Sequence, residues 1–515
     1  MRAFLMYKER DFSLQEPLPP NRADLEQDLE LETLFRAMAA GDEFLLEVAK
    51  TAVLVSLLDP EEILYRQHIL ADCLERSEIV REMFTVAVEA VDRERKVWGW
   101  TSDLPQSSLY RSIEVLQIFF GLLKRLRQTA DEHSGKFRSD GFARFFEMLA
   151  TELNDEYLSV IESHLRRLKF RNGILMTAEL SKGLKGSNYI LRKPPDPKRT
   201  WKERLQGWLG LTGRDGFAYE IADRDQAGFQ ALSELRNQGI AHVAAALAQS
   251  AAHILSFFSL LRLELGFYVG CLNLRDRLER KGEPICLPQP VAAGKAMFSG
   301  RGLYDVCLTL SMPDRAVGND VSGDDKWLVT ITGANRGGKS TFLRAFGLSQ
   351  LMMQCGMFAP AEAFRANVCS GVYTHFKREE DANMRSGKLD EELGRMSLMI
   401  DKISPNSIVL FNESFASTNE REGSEIARQI VRALLESGIK VFYVTHMFDL
   451  ARRFYLAGMD NALFLRAERL TEGRRTFRII EGEPLPTSYG EDLYRRIFGS
   501  PEAISTAALP SELRQ

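Results

Sequence analysis

The sequence has few of the features that mark secreted, disulfide-bonded or membrane proteins. It has six cysteines in 515 residues, and no two of them form a C-x-x-C pair, which argues against a zinc ribbon and against a disulfide framework. The apolar run at the N-terminus is too short for a signal peptide, and no uninterrupted stretch of about 18 apolar residues predicts a membrane span. We therefore expect a cytoplasmic protein.

The overall charge identifies no partner. The formal net charge is −4 at pH 7, and 27% of the residues are charged, which is ordinary for a soluble globular chain. A chain of 515 residues exceeds one hydrophobic core and predicts two to four domains of roughly 100–200 residues each.

The patterning divides the chain into three expected parts. Residues 1–22 form a proline-containing N-terminal segment. Residues 23–290 have apolar positions at three- and four-residue spacing, which predicts an all-α half that ends in one or two long helices. Residues 291–515 alternate apolar strand-like runs with helical patterns, which predicts an α/β domain.

A basic insert interrupts the helical half near residues 166–216. Lysine and arginine far outnumber aspartate and glutamate from 166 to 204, and glycines and prolines there favour a hairpin with an exposed loop. Such a stretch suits a polyanion such as DNA, which it would bind in a salt-dependent way. A solvated loop whose charges only keep the protein soluble fits equally well, so both interpretations stay open.

The strongest motif lies in the third part and fits G-x-x-x-x-G-K-[ST]. It consists of Gly333, Ala334, Asn335, Arg336, Gly337, Gly338, Lys339, Ser340 and Thr341. A β-rich run at 327–331 precedes it and a helical pattern at 342–353 follows it. Its backbone N–H groups would surround phosphate oxygens, Lys339 would reach the β- and γ-phosphates, and Ser340 would offer its hydroxyl to Mg²⁺. The agreement of motif and flanking elements favours this interpretation over a glycine-rich turn that binds nothing.

Two further apolar runs end in polar residues. The run at 407–412 leads to Glu413, and the run at 440–445 leads to His446. The tips of parallel strands beside a P-loop handle the ligand in doubly wound sheets. We therefore expect Glu413 to orient and deprotonate the water that attacks the γ-phosphate, and His446 to sense or stabilise that phosphate.

Together these motifs resemble those of the MutS family of mismatch-repair and related ATPases, within the ABC class of P-loop enzymes. The resemblance covers about 320–492. It includes a Q-loop-like segment at 357–362 that ends in Glu362, a signature-like segment at Ser386 and Gly387, the Thr445-His446 pair and a Ser488-Tyr489-Gly490 sequence. The helical half is more weakly similar to the MutS core and lever domains.

The resemblance implies a function for the whole chain. It implies a homodimeric ATP-dependent clamp, with Mg²⁺ as cofactor, that engages duplex, mismatched or branched DNA in repair or recombination. Glu362 would belong to the nucleotide site, Asn412 would join Ser340 at the metal, and the helix after Ser386 and Gly387 would complete the partner's site.

Three features depart from the family pattern. Asn412 stands where an aspartate usually helps to hold Mg²⁺, which suggests slow hydrolysis. Leu389-Asp390-Glu391-Glu392 places carboxylates in the signature segment, where they would repel a phosphate unless they turn away. We also expect neither a mismatch-reading domain nor a C-terminal nuclease domain. An alternative function is therefore a nucleotide-switched scaffold with slow hydrolysis that acts on RNA, a ribosome or a protein partner.

Overall fold

In a computed structural model of the chain, the structure describes residues 1–97, 104–170, 174–180, 186–192, 221, 224–378, 387–470 and 475–485. It is helix-rich, at 56%, with mixed α/β sheets in the C-terminal half. The helices are α1 Arg22–Asp28, α2 Leu31–Ala39, α3 Glu43–Leu54, α4 Pro60–Glu75, α5 Ser77–Lys96, α6 Pro105–His133, α7 Asp140–Glu152, α8 Asp155–Arg167, α9 Gln226–Arg280, α10 Val306–Ser311, α11 Lys339–Gln354, α12 Lys388–Ile400, α13 Glu420–Glu436 and α14 Phe448–Leu456. The strands are β1 Leu175–Leu180, β2 Gly186–Arg192, β3 Gln289–Val291, β4 Phe298–Leu303, β5 Asn319–Ser322, β6 Leu328–Thr332, β7 Ala363–Asn367, β8 Val372–Phe376, β9 Ile408–Asn412, β10 Lys440–Val444, β11 Ala462–Arg469 and β12 Arg475–Glu481.

The chain forms two compact units, each made of separated stretches of sequence. The first unit contains residues 1–3, 82–136 and 144–262, and the second contains residues 4–81, 137–143 and 263–515. The domain boundaries expected from the sequence, at 22 and 290, stay a prediction. The compact units divide the chain differently, because residues 4–81 belong to the unit that also holds the sheets.

The first unit is built from helices and one hairpin. Leu109, Ile113, Ile240 and Ala244 form one of its buried apolar clusters. Strands β1 and β2 pair antiparallel, which confirms the predicted hairpin for the part of the basic insert that the structure describes. Residues 193–220, with most of the remaining basic side chains, lie outside the described residues.

The one or two long helices predicted at the end of the helical half are a single helix, α9, of 55 residues. Residues 226–262 of this helix belong to the first unit and residues 263–280 to the second. Its best 18-residue window has a mean hydropathy of 1.5 and is 17% buried. Length and composition of that kind occur in membrane spans and in helices of water-soluble proteins alike, so the window is weak support for a span.

The second unit contains a six-stranded sheet in the order β12-β11-β6-β10-β9-β8. The contiguous strands β11, β6, β10, β9 and β8 are parallel to one another, and β12 pairs antiparallel with β11. This arrangement confirms the three parallel strands predicted before the P-loop, Glu413 and His446. Strands β6 and β10 are buried along their whole length, because helices cover both faces of the sheet.

Aromatic and aliphatic side chains hold those helices to the sheet. On one face Phe346 of α11 stacks on Phe442 of β10, with ring centroids 4.0 Å apart. On the other face Val431 of α13 and Leu450 of α14 pack in the cluster that contains Phe411 of β9. These contacts fix the carboxyl ends of the parallel strands relative to the start of α11.

A second sheet, in the order β3-β7-β4-β5, and the first four helices complete this unit. Hydrogen bonds between distant parts of the chain connect these helices to strand β8 and to helix α11. The Asn21 side chain donates to the carbonyl of Val372 on β8 at 2.8 Å. The buried Arg66 donates to the carbonyl of Cys355, at the end of α11, at 3.1 Å. Helical periodicity did not predict this docking.

Candidate nucleotide-binding site

The P-loop connects β6 to α11 and has the backbone that its glycines permit. Gly333 and Gly338 have φ angles of 103° and 92°, in the left-handed region that favours glycine. A Cβ atom on Gly337 would lie 2.8 Å from the carbonyl oxygen of Ala334 and 2.6 Å from the Cβ of Ala467. The loop therefore needs glycine for conformation at two positions and for space at a third.

Lys339 is the first residue of α11 and is 5% exposed. Its ammonium donates to the carbonyls of Gly333 and Ala334, at 3.0 and 3.1 Å. Burial is the largest cause that lowers the pKa of Lys339, and the nearby Glu413 carboxylate opposes that shift. The ammonium thus lies inside the loop, where it can exchange carbonyl contacts for phosphate oxygens.

The Ser340 hydroxyl donates to Oδ1 of Asn412 at 2.9 Å. Ser340 is the second residue of α11 and Asn412 ends β9, so the predicted metal residues are in direct contact. Both present neutral oxygens, which are ligands that Mg²⁺ accepts, although an aspartate would add a negative charge. The oxygen donors therefore fit Mg²⁺, with weaker electrostatic attraction than a carboxylate would give.

Glu413 and His446 lie together at the ends of β9 and β10. Glu413 Oε1 is 3.7 Å from His446 Nδ1, and about a third of each side chain is exposed. This separation exceeds a direct hydrogen bond but keeps the imidazole within ion-pair distance of the carboxylate whenever the imidazole is protonated. Glu413 also has a φ angle of 55°, which is strained for a residue with a Cβ and is typical of functional sites.

The nearness of His446 is the largest cause of a lowered pKa for Glu413, and Lys339 and Lys377 act in the same direction. A carboxylate with a lowered pKa stays ionised at neutral pH and is a weak base. A weak base of this kind is better suited to orient a water molecule than to remove its proton completely.

Glu362 lies apart from these groups. Its carboxylate accepts from Arg301 at 3.0 Å, and both residues line a cleft of about 600 Å³ that residues 478–481 of β12 also line. The same β12 backbone approaches the P-loop, since a Cβ on Gly338 would lie 3.1 Å from the carbonyl of Phe477. The cleft lined by Glu362 does not include Lys339, Ser340 or Asn412, and the place of Glu362 in the nucleotide site stays a prediction.

The signature-like segment is described from Gly387, which precedes α12, whereas Ser386 and Ser488-Tyr489-Gly490 lie outside the described residues. The carboxylates that follow Gly387 are largely turned inward. Glu391 pairs with Arg395 one turn later, at 3.3 Å, and the buried Glu392 accepts from the backbone N–H of Phe415 at 2.8 Å. Asp390 is exposed. Of the three carboxylates that were expected to repel a phosphate, Asp390 is therefore the one whose side chain is exposed.

The end of β8 carries further functional candidates that the sequence motifs did not indicate. Lys377 and Arg378 follow this strand, and the backbone N–H of Lys377 donates to the carbonyl of Asn412 at 3.0 Å. His375, within β8, contacts the hydroxyl of Ser414 at 2.8 Å through Nδ1. The signal was present as an apolar run, 372–376, followed by two cations.

Comparisons with known proteins match most of the chain to one family. Residues 58–281 match the MutS2 N-terminal domain and residues 329–511 match MutS domain V. The chain belongs to the MutS family. The P-loop and strand-tip residues indicated a resemblance to this family, and that resemblance is therefore confirmed.

Individual relatives align with about a third of this chain. The DNA mismatch repair protein MutS of Thermotoga neapolitana is 32% identical over 195 residues, which are 36% of this chain and 24% of that protein. Endonuclease MutS2 of Lacticaseibacillus casei is 32% identical over 187 residues, 35% of this chain and 23% of its own length. MutS of Thermus aquaticus is 35% identical over 186 residues, 36% of this chain and 22% of its own. The aligned region thus spans about a quarter of each relative.

Proposed function

We propose that this MutS-family chain is an ATPase that binds and hydrolyses ATP at the P-loop of an ABC-type domain. One observation carries the proposal: Lys339, Ser340, Asn412, Glu413 and His446 converge at the carboxyl edge of one parallel sheet. A buried ammonium, a hydroxyl with an amide oxygen, and a carboxylate with an imidazole are the groups that phosphoryl transfer to water needs.

Each side chain has a separate task in this proposal. The P-loop N–H groups and Lys339 bind the β- and γ-phosphates, and Ser340 and Asn412 hold Mg²⁺, which neutralises the charge that develops on those phosphates. Glu413 orients the attacking water, and His446 holds Glu413 in place and faces the γ-phosphate. Neutral Asn412 supports a slow rate.

Phosphate release from ATP by the purified protein tests the ATPase. We expect release by the wild type and loss of at least about tenfold in Glu413→Gln, because the neutral amide presents one acceptor oxygen to the attacking water where the carboxylate presents two charged ones. Lys339→Ala should lose ATP binding as well as release. Equal release by wild type and Glu413→Gln would remove the hydrolase assignment.

We further propose that the chain acts as a homodimeric clamp on duplex, mismatched or branched DNA in the cytoplasm, in repair or recombination. The relatives named DNA mismatch repair protein and the basic insert support this target. Sedimentation with and without a non-hydrolysable ATP analogue tests the dimer. Binding to homoduplex, mismatched, four-way and single-stranded DNA across a salt series tests the target, and no binding at low salt to any of them would exclude it.

The alternative function is a nucleotide-switched scaffold with slow turnover on RNA, a ribosome or a protein partner. Asn412 favours it, because Ser340 here contacts an amide and not a carboxylate. ATP binding without measurable phosphate release, together with no DNA binding, would select this alternative.

A further inference from the structure

A cleft of about 370 Å³ opens at the metal end of the candidate site. Ser340 and Asn412 form one part of its wall, and three cations, Arg344, Lys377 and Arg378, form another. Asp28, at the end of α1, and Glu30, just before α2, contribute carboxylates to the same wall. The charges of these groups decide what the cleft attracts.

Two of the three cations are already neutralised by carboxylates. Arg344 donates to Asp305 at 2.8 Å and also contacts Glu30. Arg378 donates to Asp24 at 2.8 Å and lies 3.1 Å from Asp28. Each arginine thus has two carboxylate partners, which hold its guanidinium in place.

Lys377 differs from both arginines. Its side chain is exposed, and it has no carboxylate partner among the residues that the structure describes. Its backbone is nevertheless fixed, because its N–H donates to the carbonyl of Asn412 at 3.0 Å. The field of its ammonium reaches the site, where it helps to keep Glu413 ionised.

Lys377 and Asn412 change the charge of the metal end in the same direction. Asn412 lacks the negative charge that an aspartate would direct at Mg²⁺, so the site holds a divalent cation less strongly. Lys377 adds a mobile positive charge at the neighbouring strand end. A lysine has a flexible four-carbon stem and three donors, and it binds phosphate as a point charge.

We propose that Lys377 binds the terminal phosphate of a nucleoside triphosphate and supplies, within the same chain, part of the positive charge that Mg²⁺ supplies in such sites. The proposal rests on the proposed nucleotide site and deepens it. Triphosphate binding should then persist without Mg²⁺. A nucleoside diphosphate, which lacks the terminal phosphate, should gain much less from Lys377.

Equilibrium binding of fluorescent nucleotide analogues to the full chain tests this inference. The analogues are a non-hydrolysable ATP analogue and an ADP analogue, and each is measured once with excess Mg²⁺ and once with EDTA. For wild type we expect the triphosphate Kd to rise less than about tenfold when EDTA replaces Mg²⁺. For Lys377→Ala we expect a rise roughly tenfold to a hundredfold greater than that of wild type, from the loss of one charge-assisted contact. Lys377→Arg should retain most of the wild-type behaviour, and diphosphate binding should change little in either variant.

Two controls separate this inference from the general nucleotide site. Lys295→Ala removes an exposed lysine in the turn between β3 and β4 and should leave both Kd values unchanged. Lys339→Ala should abolish binding in both buffers, which assigns the signal to the P-loop. Thermal unfolding without nucleotide should be the same for wild type and Lys377→Ala, since the side chain is exposed.

The outcomes are distinct. A selective loss of triphosphate binding by Lys377→Ala in EDTA supports the inference. Strict Mg²⁺ dependence of the wild type, or equal Mg²⁺ dependence of wild type and Lys377→Ala, overturns it while leaving the proposed ATP site intact. Absence of wild-type nucleotide binding in both buffers removes the proposed site and the inference together.

Discussion

Glu392 accepts a hydrogen bond from the backbone N–H of Phe415 at 2.8 Å, two residues after Glu413. The same Glu392 oxygen, Oε2, also accepts a hydrogen bond from the Ser417 hydroxyl at 3.2 Å. Glu392 lies on α12, the helix of the signature-like segment, whereas Phe415 lies in the loop that holds the proposed water-orienting group. One buried carboxylate therefore joins the two parts of the site.

The first prediction concerns this link. Glu392→Ala leaves the Phe415 N–H without its acceptor and releases the loop after Glu413. We expect a loss of roughly 1–3 kcal/mol in unfolding free energy and a fall in the ATP hydrolysis rate with little change in nucleotide affinity. Steady-state kinetics and equilibrium binding of the same variant measure the two effects separately.

Glu391→Ala is the matched control for this prediction. Glu391 is the preceding carboxylate, and its ion-pair partner among the described residues is Arg395 on its own helix. We expect its hydrolysis rate to stay near wild type. A Glu392→Ala protein that hydrolyses ATP as fast as Glu391→Ala would show that the link does not position Glu413.

The second prediction concerns the neutral metal residue. Asn412→Asp places a carboxylate where the Ser340 hydroxyl now contacts an amide, and a negative charge binds Mg²⁺ more strongly. We expect the Mg²⁺ concentration that gives half-maximal ATP hydrolysis to fall by about tenfold, which corresponds to about 1.4 kcal/mol. Mg²⁺ titrations at saturating ATP measure it.

Asn412→Ala is the companion variant, because it removes the acceptor of Ser340 without adding charge. Its Mg²⁺ requirement should rise. If Asn412→Asp and wild type require the same Mg²⁺ concentration, Asn412 does not limit metal binding and gives no support to the proposed slow hydrolysis.

The site and the strands that carry it followed from local sequence. Buried parallel strands are short apolar runs, and their polar ends mark the edge where ligands bind, so Glu413 and His446 could be placed before any coordinates. The antiparallel strands β4 and β5 were not predicted. Their short alternating runs contain glycines, and their burial depends on partners elsewhere in the chain.

Contacts between distant residues could not be predicted in this way. The Asn21 side chain bonds to Val372 across 351 positions, and Arg344 contacts Glu30 across 314. Periodicity shows which face of a helix is buried but not against what it is buried. For the same reason the sequence did not single out Lys377, and only the pairing of β8 with β9 places it beside Asn412.

The third prediction concerns His375, which is 1% exposed. Burial is the largest cause that lowers its pKa to about 4, from the ordinary value of 6.5, and Arg395 acts in the same direction. A buried neutral histidine stabilises the fold above the unfolded pKa, and that stability is lost as the pH falls from 6.5 towards 4. We expect a loss of about 2 kcal/mol between pH 7.5 and pH 5.

Urea unfolding across this pH range, followed for the transition that nucleotide stabilises, measures the loss. His375→Gln keeps polar atoms near Ser414 but does not titrate, so its unfolding free energy should depend less steeply on pH. Carboxylates titrate in the lower part of the range in both proteins, and the difference between the two curves isolates His375. Parallel curves would show that His375 is not the titrating group.

The fourth prediction compares two glycines of the candidate site. A Cβ on Gly337 would lie 2.6 Å from the Cβ of Ala467, whereas a Cβ on Gly387 would have no described atom within 4 Å. Gly337→Ala should therefore distort the P-loop and weaken ATP binding by at least about tenfold, which corresponds to about 1.4 kcal/mol. Gly387→Ala should leave the melting temperature and the ATP affinity of an isolated subunit unchanged.

The Gly387→Ala variant also tests whether a partner subunit completes the nucleotide site. If a second copy presents its Gly387 helix start to the γ-phosphate, the added methyl group in Gly387→Ala lies where that phosphate approaches backbone N–H groups. We expect the hydrolysis rate of Gly387→Ala to fall at protein concentrations that favour dimers, with unchanged ATP affinity at concentrations that favour monomers. Hydrolysis by Gly387→Ala that equals the wild type at every protein concentration would argue against a nucleotide site completed by this helix.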